Sequence, residues 1–267
     1  MIMNKAQEIL KEAKKYNGSE DMLRDAYGID SNTKYDAVVV APVWTPEKIF
    51  KNQEVRIKNM IQYANQSSYE VEFAGKKIAW IMCGVGSCNL VDVMLCLSGS
   101  VTEKIIFVGS VGALNADIKL GEIATPSESY AYESATMYLF DSLDKNNFGC
   151  KIVPQNMEYI NKVIKKAEGQ GINIVKRKVF CTDSLFCEYK FLDYIKNTGA
   201  ELIEMETASF YKAINMMNKK GIALLCVSDN SAANISLVAR DEESTFNYHN
   251  SREVNIPKLI KIICDMK

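Results

Sequence analysis

The chain has 267 residues, which is enough for one large domain or two small ones. Its 32 Lys and Arg nearly balance its 33 Asp and Glu, and a formal net charge of −1 argues against a nucleic-acid-binding surface. Hydrophobic residues make up 48% of the chain, yet no apolar run approaches the roughly 20 residues of a membrane span. We therefore expect a cytoplasmic globular protein that has neither a membrane nor a nucleic acid as its partner.

The cysteine and histidine content gives little support to a disulfide framework or a metal site. None of the eight cysteines forms a CxxC pair, and most of them lie inside apolar runs, as Cys226 does in IALLCVS. Free buried thiols in a reducing cytoplasm are the expected state. With His249 as the single histidine, neither a metal nor a catalytic Cys–His pair is expected.

In chain order, residues 4–30 predict one or two amphipathic helices. Apolar, β-branched runs then predict strands at 35–42, 69–84 (two strands joined at Ala74-Gly75), 104–114, 121–129, 172–180 and 221–230. Apolar residues at helical spacing predict helices near 90–101, at 156–170, after 206 and from about 250.

Strands that are apolar throughout and alternate with helices predict a mixed or parallel sheet covered on both faces. No linker is rich enough in Pro, Gly or Ser to divide the chain, so we expect one domain. Ligands of such sheets bind beyond the carboxyl ends of the strands, so the polar residues that follow the apolar runs predict the site. There are four such places, and we expect them to converge: Cys83–Ser87, Gly109–Gly112, Glu204–Glu206 and Ser228–Asn230.

The two glycine-containing loops, GVGS and GSVG, could present backbone N–H groups to an anion. Each loop alone is also compatible with a tight connection between a strand and a helix. Neither is a P-loop, because no Gly-Lys-Ser/Thr follows, and CGVGSCN does not match the dinucleotide pattern GxGxxG.

The carboxylates at the other two places have two interpretations each. Glu204 and Glu206 could stabilise the start of a helix by interacting with the positive end of its dipole. Alternatively, one of them could accept hydrogen bonds from the vicinal hydroxyls of a ribose. Asp229 could cap a helix, or it could protonate a leaving group from a partly dry pocket. A carboxylate that holds a sugar and an acid that protonates a base would together suit glycosidic chemistry.

Three segments, KIIFVGSVGALNADIKLGEIATP, IEMETASFYKA and IALLCVSDN, together resemble the nucleoside phosphorylase family of purine nucleoside phosphorylases, uridine phosphorylases and methylthioadenosine nucleosidases. The resemblance covers about residues 35–265, with CGVGSCN as the family's upstream glycine loop. It implies a three-layer α/β/α sandwich around a mixed, partly barrel-like sheet, in a dimer, trimer or hexamer. We expect a catalytic domain at 35–267 and an N-terminal helical extension at 1–34.

The resemblance also implies roles for individual residues and cleavage of the bond between ribose and base. Glu206 would bind the ribose hydroxyls, Asp229 would act as the acid at N7 of a purine, and Arg240 would assist it. The other implied positions fall around the substrate: Met205 against the sugar, Glu204 and Phe180 beside the base, Ser110, Val111, Gly112 and Ser228 along the pocket, and Gly84, Gly86 and Ser87 in an anion loop.

The sequence departs from the family at the phosphate site. Two positions that hold arginines in the hexameric phosphorylases carry Pro46 and Phe107 here. Losing these guanidiniums removes the bidentate contacts that suit phosphate best. The resemblance implies a pentosyltransferase of the nucleoside phosphorylase type acting on a purine nucleoside, with inorganic phosphate as a possible co-substrate and no other cofactor. Because these arginines are missing, a nucleosidase that uses water is the close alternative, with Glu47 as the candidate for activating water. A family member that binds a nucleoside without cleaving it is a further alternative.

Overall fold

The computed structural model of the protein describes residues 4–62, 66–236 and 240–266. Its strands are β1 (Ala37–Ala41), β2 (Val55–Gln62), β3 (Ser67–Phe73), β4 (Lys76–Met82), β5 (Lys104–Ala113), β6 (Ile123–Tyr132), β7 (Lys151–Ile152), β8 (Ile174–Thr182), β9 (Leu202–Glu204) and β10 (Lys220–Asn230). Its α-helices are α1 (Lys5–Asn17), α2 (Met22–Tyr27), α3 (Pro46–Ile49), α4 (Ser87–Leu97), α5 (Met157–Glu168), α6 (Leu192–Asn197), α7 (Thr207–Met217), α8 (Glu242–Asn250) and α9 (Ile256–Asp265).

Five of these strands close into a barrel. β5 pairs in parallel with β10, β10 pairs with β6, β6 with β8, β8 with β9, and β9 returns antiparallel to β5. From β5 the sheet continues outward through β1, β4, β3 and β2. β1 and most of β5 and β10 are buried, as their runs of Val, Ile and Leu predict for strands covered on both faces.

Helices cover this sheet in two groups. α1, α4 and α7 pack on one another, and α5 packs on α9. Asn4 caps the start of α1, and its side chain accepts a hydrogen bond from the backbone N–H of Gln7 in a capping box. The predicted three-layer α/β/α fold with a partly barrel-like sheet is therefore confirmed, and the N-terminal helices pack against it.

The structure has most of the strands and helices that the sequence predicts, with shifted ends. The hairpin between β3 and β4 turns at Ala74 and Gly75, whose φ angles of 49° and 75° both lie in the left-handed region that a two-residue hairpin loop needs. β2 was not predicted, because half of its sequence VRIKNMIQ is polar and none of its residues is fully buried. Within the described ranges, no helix is long and apolar enough to cross a membrane.

Candidate active site

The register between β5 and β10 places Gly112 directly beside Asp229. A bulge between Val227 and Asp229 sets this pairing. A Cβ atom at residue 112 would lie 2.9 Å from Oδ2 of Asp229 and 3.3 Å from a methyl group of Ile203. Glycine at this position therefore lets the carboxyl group lie against the backbone of the neighbouring strand.

A cavity of about 190 Å³ lies at this end of the barrel. The predicted convergence is present, because all four places contribute to its wall or lie directly behind it. The lining residues are Pro42, Val43, Val85, Gly109, Ser110, Val111, Gly112, Leu185, Glu188, Ile203, Glu204, Met205, Glu206, Ser228 and Asp229. Glu206 and Asp229 thus share one cavity.

Glu204 is held by the start of α7. Its two carboxylate oxygens accept hydrogen bonds from the backbone N–H groups of Glu206 (2.8 Å) and Thr207 (2.9 and 3.0 Å), from the Thr207 hydroxyl (2.8 Å) and from the Cys181 thiol (2.7 Å). Burial raises the pKa of Glu204, and these donors oppose the shift. Glu204 lines the cavity as expected, but its carboxylate oxygens are already used in fixing the helix.

Glu206 has fewer protein donors. The backbone N–H of Gly86 donates to its Oε1 at 2.6 Å, and the side chain is 5% exposed. Burial, and then the charge of Glu204, raise the pKa of Glu206 to about 8. Because Glu204 is the better hydrogen-bonded of the two, its surroundings favour the ionised form more than those of Glu206 do.

The predicted anion loop binds a carboxylate of the protein itself, that of Glu206. Gly86 donates its N–H to Glu206, and the Ser87 hydroxyl donates to the backbone oxygen of Met205 at 2.8 Å. Gly84, Gly86 and Ser87 do not line the cavity, although Val85 between them does. Glu206 therefore occupies the position that an external anion would take at Gly86.

Asp229 is the penultimate residue of β10, and its Oδ1 accepts a hydrogen bond from the Ser228 hydroxyl at 2.6 Å. Burial raises the pKa of Asp229, while the hydrogen bond from Ser228 and the charge of Arg240 act in the opposite direction. A carboxyl group in such surroundings retains its proton to higher pH than an exposed aspartate does.

Arg240 lies behind Asp229 and does not line the cavity. Its Nε donates to the backbone oxygen of Ser228 at 2.6 Å, and its guanidinium lies 4.3 Å from the centre of the Tyr248 ring. The Tyr248 hydroxyl lies 3.0 Å from the hydroxyl of Ser110 in the cavity wall. Arg240 is thus placed to act on Asp229 through its charge and through the backbone.

Phe180 is not in this cavity. Its ring stacks on Tyr132, with ring centres 4.5 Å apart, and lines a neighbouring aromatic hollow of about 600 Å³. Successive side chains of a strand point to opposite faces, and Cys181 is the one that contacts Glu204. The expectation that Phe180 stacks on the base in the cavity of Glu206 and Asp229 does not agree with this position.

Glu47 also lies away from the cavity. In α3, Pro46 and Ile49 are buried, which turns Glu47 to the exposed side of this short helix. It is not among the lining residues, so the expectation that it activates water next to the sugar does not agree with its position.

Glu188 is a cavity residue that the sequence did not reveal. It lies in a 3-10 helix, Cys187–Phe191, is 5% exposed, and lines both the cavity and the aromatic hollow. Burial, and then the charge of Asp229, raise its pKa to about 7. Its segment, SLFCEYKF, has no periodic pattern that could have indicated a buried carboxylate.

The cavity is acidic. Among the described residues that line it, four are carboxyl-bearing and none is Lys or Arg. Within the described ranges, no group of three or more His, Cys, Asp or Glu side chains is arranged to hold a metal ion. The lining suits a ligand that donates hydrogen bonds, and it lacks the cationic groups that bind phosphate best.

Several known proteins are similar to this chain. A DeoD-type purine nucleoside phosphorylase of Bacillus velezensis is 23% identical over 175 residues, 65% of this chain and 73% of its own length. The corresponding protein of Histophilus somni strain 2336 is 26% identical over 199 residues, 73% of this chain and 78% of its own length.

Solved structures with the same fold have both phosphorylase and nucleosidase names. Uridine phosphorylase from Vibrio fischeri ES114 has a TM-score of 0.70 at 16% identity and covers 89% of this chain and 95% of its own. AMP nucleosidase from Bacteroides thetaiotaomicron has a TM-score of 0.65 at 18% identity and covers 96% and 99%. The 5′-methylthioadenosine/S-adenosyl homocysteine nucleosidase of Campylobacter jejuni has a TM-score of 0.66 at 16% identity and covers 86% and 99%.

The family model described as the Phosphorylase superfamily matches residues 37–266, which include every strand of the sheet and every residue that lines the cavity. The chain belongs to this superfamily, a family of enzymes that act on nucleosides as phosphorylases or nucleosidases.

Proposed function

We propose that the protein cleaves the N-glycosidic bond of a purine-type nucleoside and releases the free base. The observation that carries this proposal is that Glu206, at the start of α7, and Asp229, near the end of β10, line one cavity. A carboxylate accepts hydrogen bonds from two vicinal hydroxyls, and a protonated carboxyl group can donate to a leaving base. The two groups together provide the two contacts that cleavage requires.

Asp229 is the general acid in this proposal. Its burial favours the protonated form, which can donate to N7 as the bond to the sugar breaks. The base then leaves as a neutral molecule, and Asp229 becomes a carboxylate. The charge of Arg240 favours that carboxylate, and the bond from Arg240 Nε to Ser228 keeps the guanidinium close to it.

Glu206 holds the sugar. Ribose hydroxyls add hydrogen-bond donors to those from Gly86, and such donors favour the ionised carboxylate. A negative charge at this place also stabilises the positive charge that develops on the sugar ring as the bond breaks. Met205, next in the wall, packs against the sugar.

Water is the acceptor that the site supports best. The N–H of Gly86 is occupied by Glu206, and no Lys or Arg is among the described residues of the cavity wall. Two of the structural neighbours carry the name nucleosidase. Phosphate is the second candidate, because the DeoD-type relatives of up to 26% identity named above are phosphorylases.

The test is base release from adenosine, inosine, guanosine and uridine in phosphate-free buffer, repeated with added phosphate. Release of a purine base and free ribose without phosphate is expected. A strict phosphate requirement with ribose 1-phosphate as product would replace water by phosphate. Tight nucleoside binding without any release would instead identify a binding protein and overturn the proposal.

A further inference from the structure

Ser228 is the extra residue of the bulge in β10, because Val227 and Asp229 on either side of it pair with consecutive residues of β5. The extra residue of a bulge lies outside the regular ladder, so its backbone carbonyl needs a partner from elsewhere. Ser228 is 1% exposed, which leaves little access for water. Arg240 supplies the partner, because its Nε donates to this carbonyl at 2.6 Å.

The carbonyl of Ser228 belongs to the peptide group that joins Ser228 to Asp229. The hydrogen bond from Arg240 therefore holds the backbone at the point from which the Asp229 side chain starts. The Ser228 hydroxyl donates to Oδ1 of the same aspartate. Bulges commonly redirect a side chain next to an active site, and here the redirected residue is the acid of the cavity.

Tyr248, on α8, holds the guanidinium of Arg240. The guanidinium carbon lies 4.3 Å from the centre of the Tyr248 ring, a distance at which a cation is attracted to an aromatic face. The guanidinium of Arg252 lies 5.2 Å from the same ring centre, and it forms an ion pair with Glu253. The ring is thus held between charged groups that restrict its movement.

α8 itself is fixed against the barrel. A Cβ atom at Gly121, just before β6, would lie 2.5 Å from the backbone oxygen of Asn247. The Ser251 hydroxyl donates to the backbone oxygen of Gly121, and the N–H of Gly121 donates to the carbonyl of Val227 at 2.9 Å. Tyr248 therefore lies on a helix that is attached next to the bulge.

The hydroxyl of Tyr248 reaches the other strand of the pair. It lies 3.0 Å from the hydroxyl of Ser110 on β5, and the Tyr248 side chain is 5% exposed. Tyr248 thus contacts β5 directly, and it contacts the bulge of β10 through Arg240. Both Ser110 and Ser228 line the cavity.

We propose that Tyr248 is a positioning residue that holds Arg240 against the bulge at Ser228 and thereby fixes the direction of the Asp229 carboxyl group. Tyr248 itself does not line the cavity. The inference rests on the proposed function, because it takes Asp229 as the general acid.

The test compares Tyr248→Phe with Tyr248→Leu on adenosine and inosine. Phenylalanine keeps the ring under Arg240 and loses only the contact with Ser110, whereas leucine loses both. We expect kcat of the leucine variant to be at least about tenfold below that of the phenylalanine variant, because small displacements of a catalytic group are costly. KM should differ between them by less than about twofold, since the cavity wall is the same in both. Tyr248→Met also removes the ring and serves if the leucine variant does not fold.

A double variant shows whether Tyr248 acts through Arg240. Arg240→Met alone should lower kcat, and adding Tyr248→Leu to it should change kcat by less than about twofold, because residues in one chain of contacts are not additive. The control is Tyr159→Leu, which removes another buried tyrosine, on α5, away from the cavity wall. It should lower Tm and leave kcat unchanged.

A second readout does not depend on turnover. In crystal structures without ligand, the hydrogen bond from Arg240 Nε to the Ser228 carbonyl should persist in Tyr248→Phe and be lost in Tyr248→Leu. If the wild type cleaves no nucleoside, the proposed function fails, and the position of Arg240 in these structures still decides whether Tyr248 holds it.

Three outcomes would overturn the role of Tyr248. They are equal kcat values in the phenylalanine and leucine variants, effects of Tyr248→Leu and Arg240→Met that multiply in the double variant, and an Arg240 side chain that stays on Ser228 when the ring is removed.

Discussion

The Oε2 atom of Glu204 accepts a hydrogen bond of 2.8 Å from the backbone N–H of Glu206, so one carboxylate fixes the backbone that carries the other. The carboxylate of Glu204 accepts hydrogen bonds from the backbone at the start of α7, whereas Glu206 lines the cavity and can accept further hydrogen bonds from a ligand. Two acids that are two residues apart thus have different tasks, one structural and one directed at a ligand.

Glu204→Gln should destabilise the fold. The amide nitrogen would face backbone N–H groups that now donate to a carboxylate, which leaves at least one buried donor without an acceptor. We expect a loss of about 1–3 kcal/mol in the free energy of unfolding, seen as a fall of several degrees in Tm. An unchanged Tm would show that these hydrogen bonds do not hold α7.

In the ligand-free protein, the effect of Glu206→Gln on Tm should depend on pH and become more favourable as pH rises. The folded-state pKa of Glu206 is raised from 4.5 to about 8, so the folded state holds a proton that the unfolded state releases. Folding stability is therefore lost as pH rises between these values. Glutamine has no proton to release, so its Tm relative to wild type should increase from pH 5 to pH 8.5, by at least about 2 °C.

The matched comparison for this pH series is Glu168→Gln, whose side chain is exposed. Its Tm should follow the wild-type curve at every pH. A difference between Glu206→Gln and wild type that stays constant across the series would contradict the raised pKa of Glu206.

Asp229→Asn should reduce the rate of base release by about 10²–10⁴, the range expected for the loss of a general acid. Asparagine can still accept the hydrogen bond from Ser228, so nucleoside affinity and Tm should change little. Rates are measured by chromatography of the released base, and affinity by calorimetry. Asp193→Asn, an exposed change on α6, serves as the control. Equal rates in the two variants would remove Asp229 from the mechanism.

Gly112→Ala should impair catalysis more than folding. The new methyl group would lie 2.9 Å from Oδ2 of Asp229, and the carboxyl group must move away to relieve the contact. We expect kcat to fall by about tenfold or more, because small displacements of a catalytic group are costly. In Gly99→Ala the methyl group would lie 3.9 Å from its nearest neighbours, and activity should be retained. Full activity in Gly112→Ala would show that the close contact has no catalytic importance.

The sequence predicted four of the five barrel strands, β5, β6, β8 and β10, and the convergence of polar residues at their ends, because buried strands have runs of apolar residues and the site follows where those runs stop. It did not predict β2, an edge strand in which half of the residues are polar and none is fully buried. It could not show that Phe180 lines the aromatic hollow and not the cavity of Glu206 and Asp229, because the face of β8 to which each residue points depends on register. Glu188 could not be found from the sequence, since its place in the cavity wall depends on the tertiary position of a 3-10 helix whose residues show no periodic pattern.

The most direct test of the shared cavity is a crystal structure of Asp229→Asn with bound adenosine. In this complex we expect the ribose hydroxyls to lie within hydrogen-bond distance of Glu206, and N7 of the base to lie beside residue 229. A nucleoside that binds in the aromatic hollow at Phe180, or that places its sugar and base away from these two side chains, would contradict it.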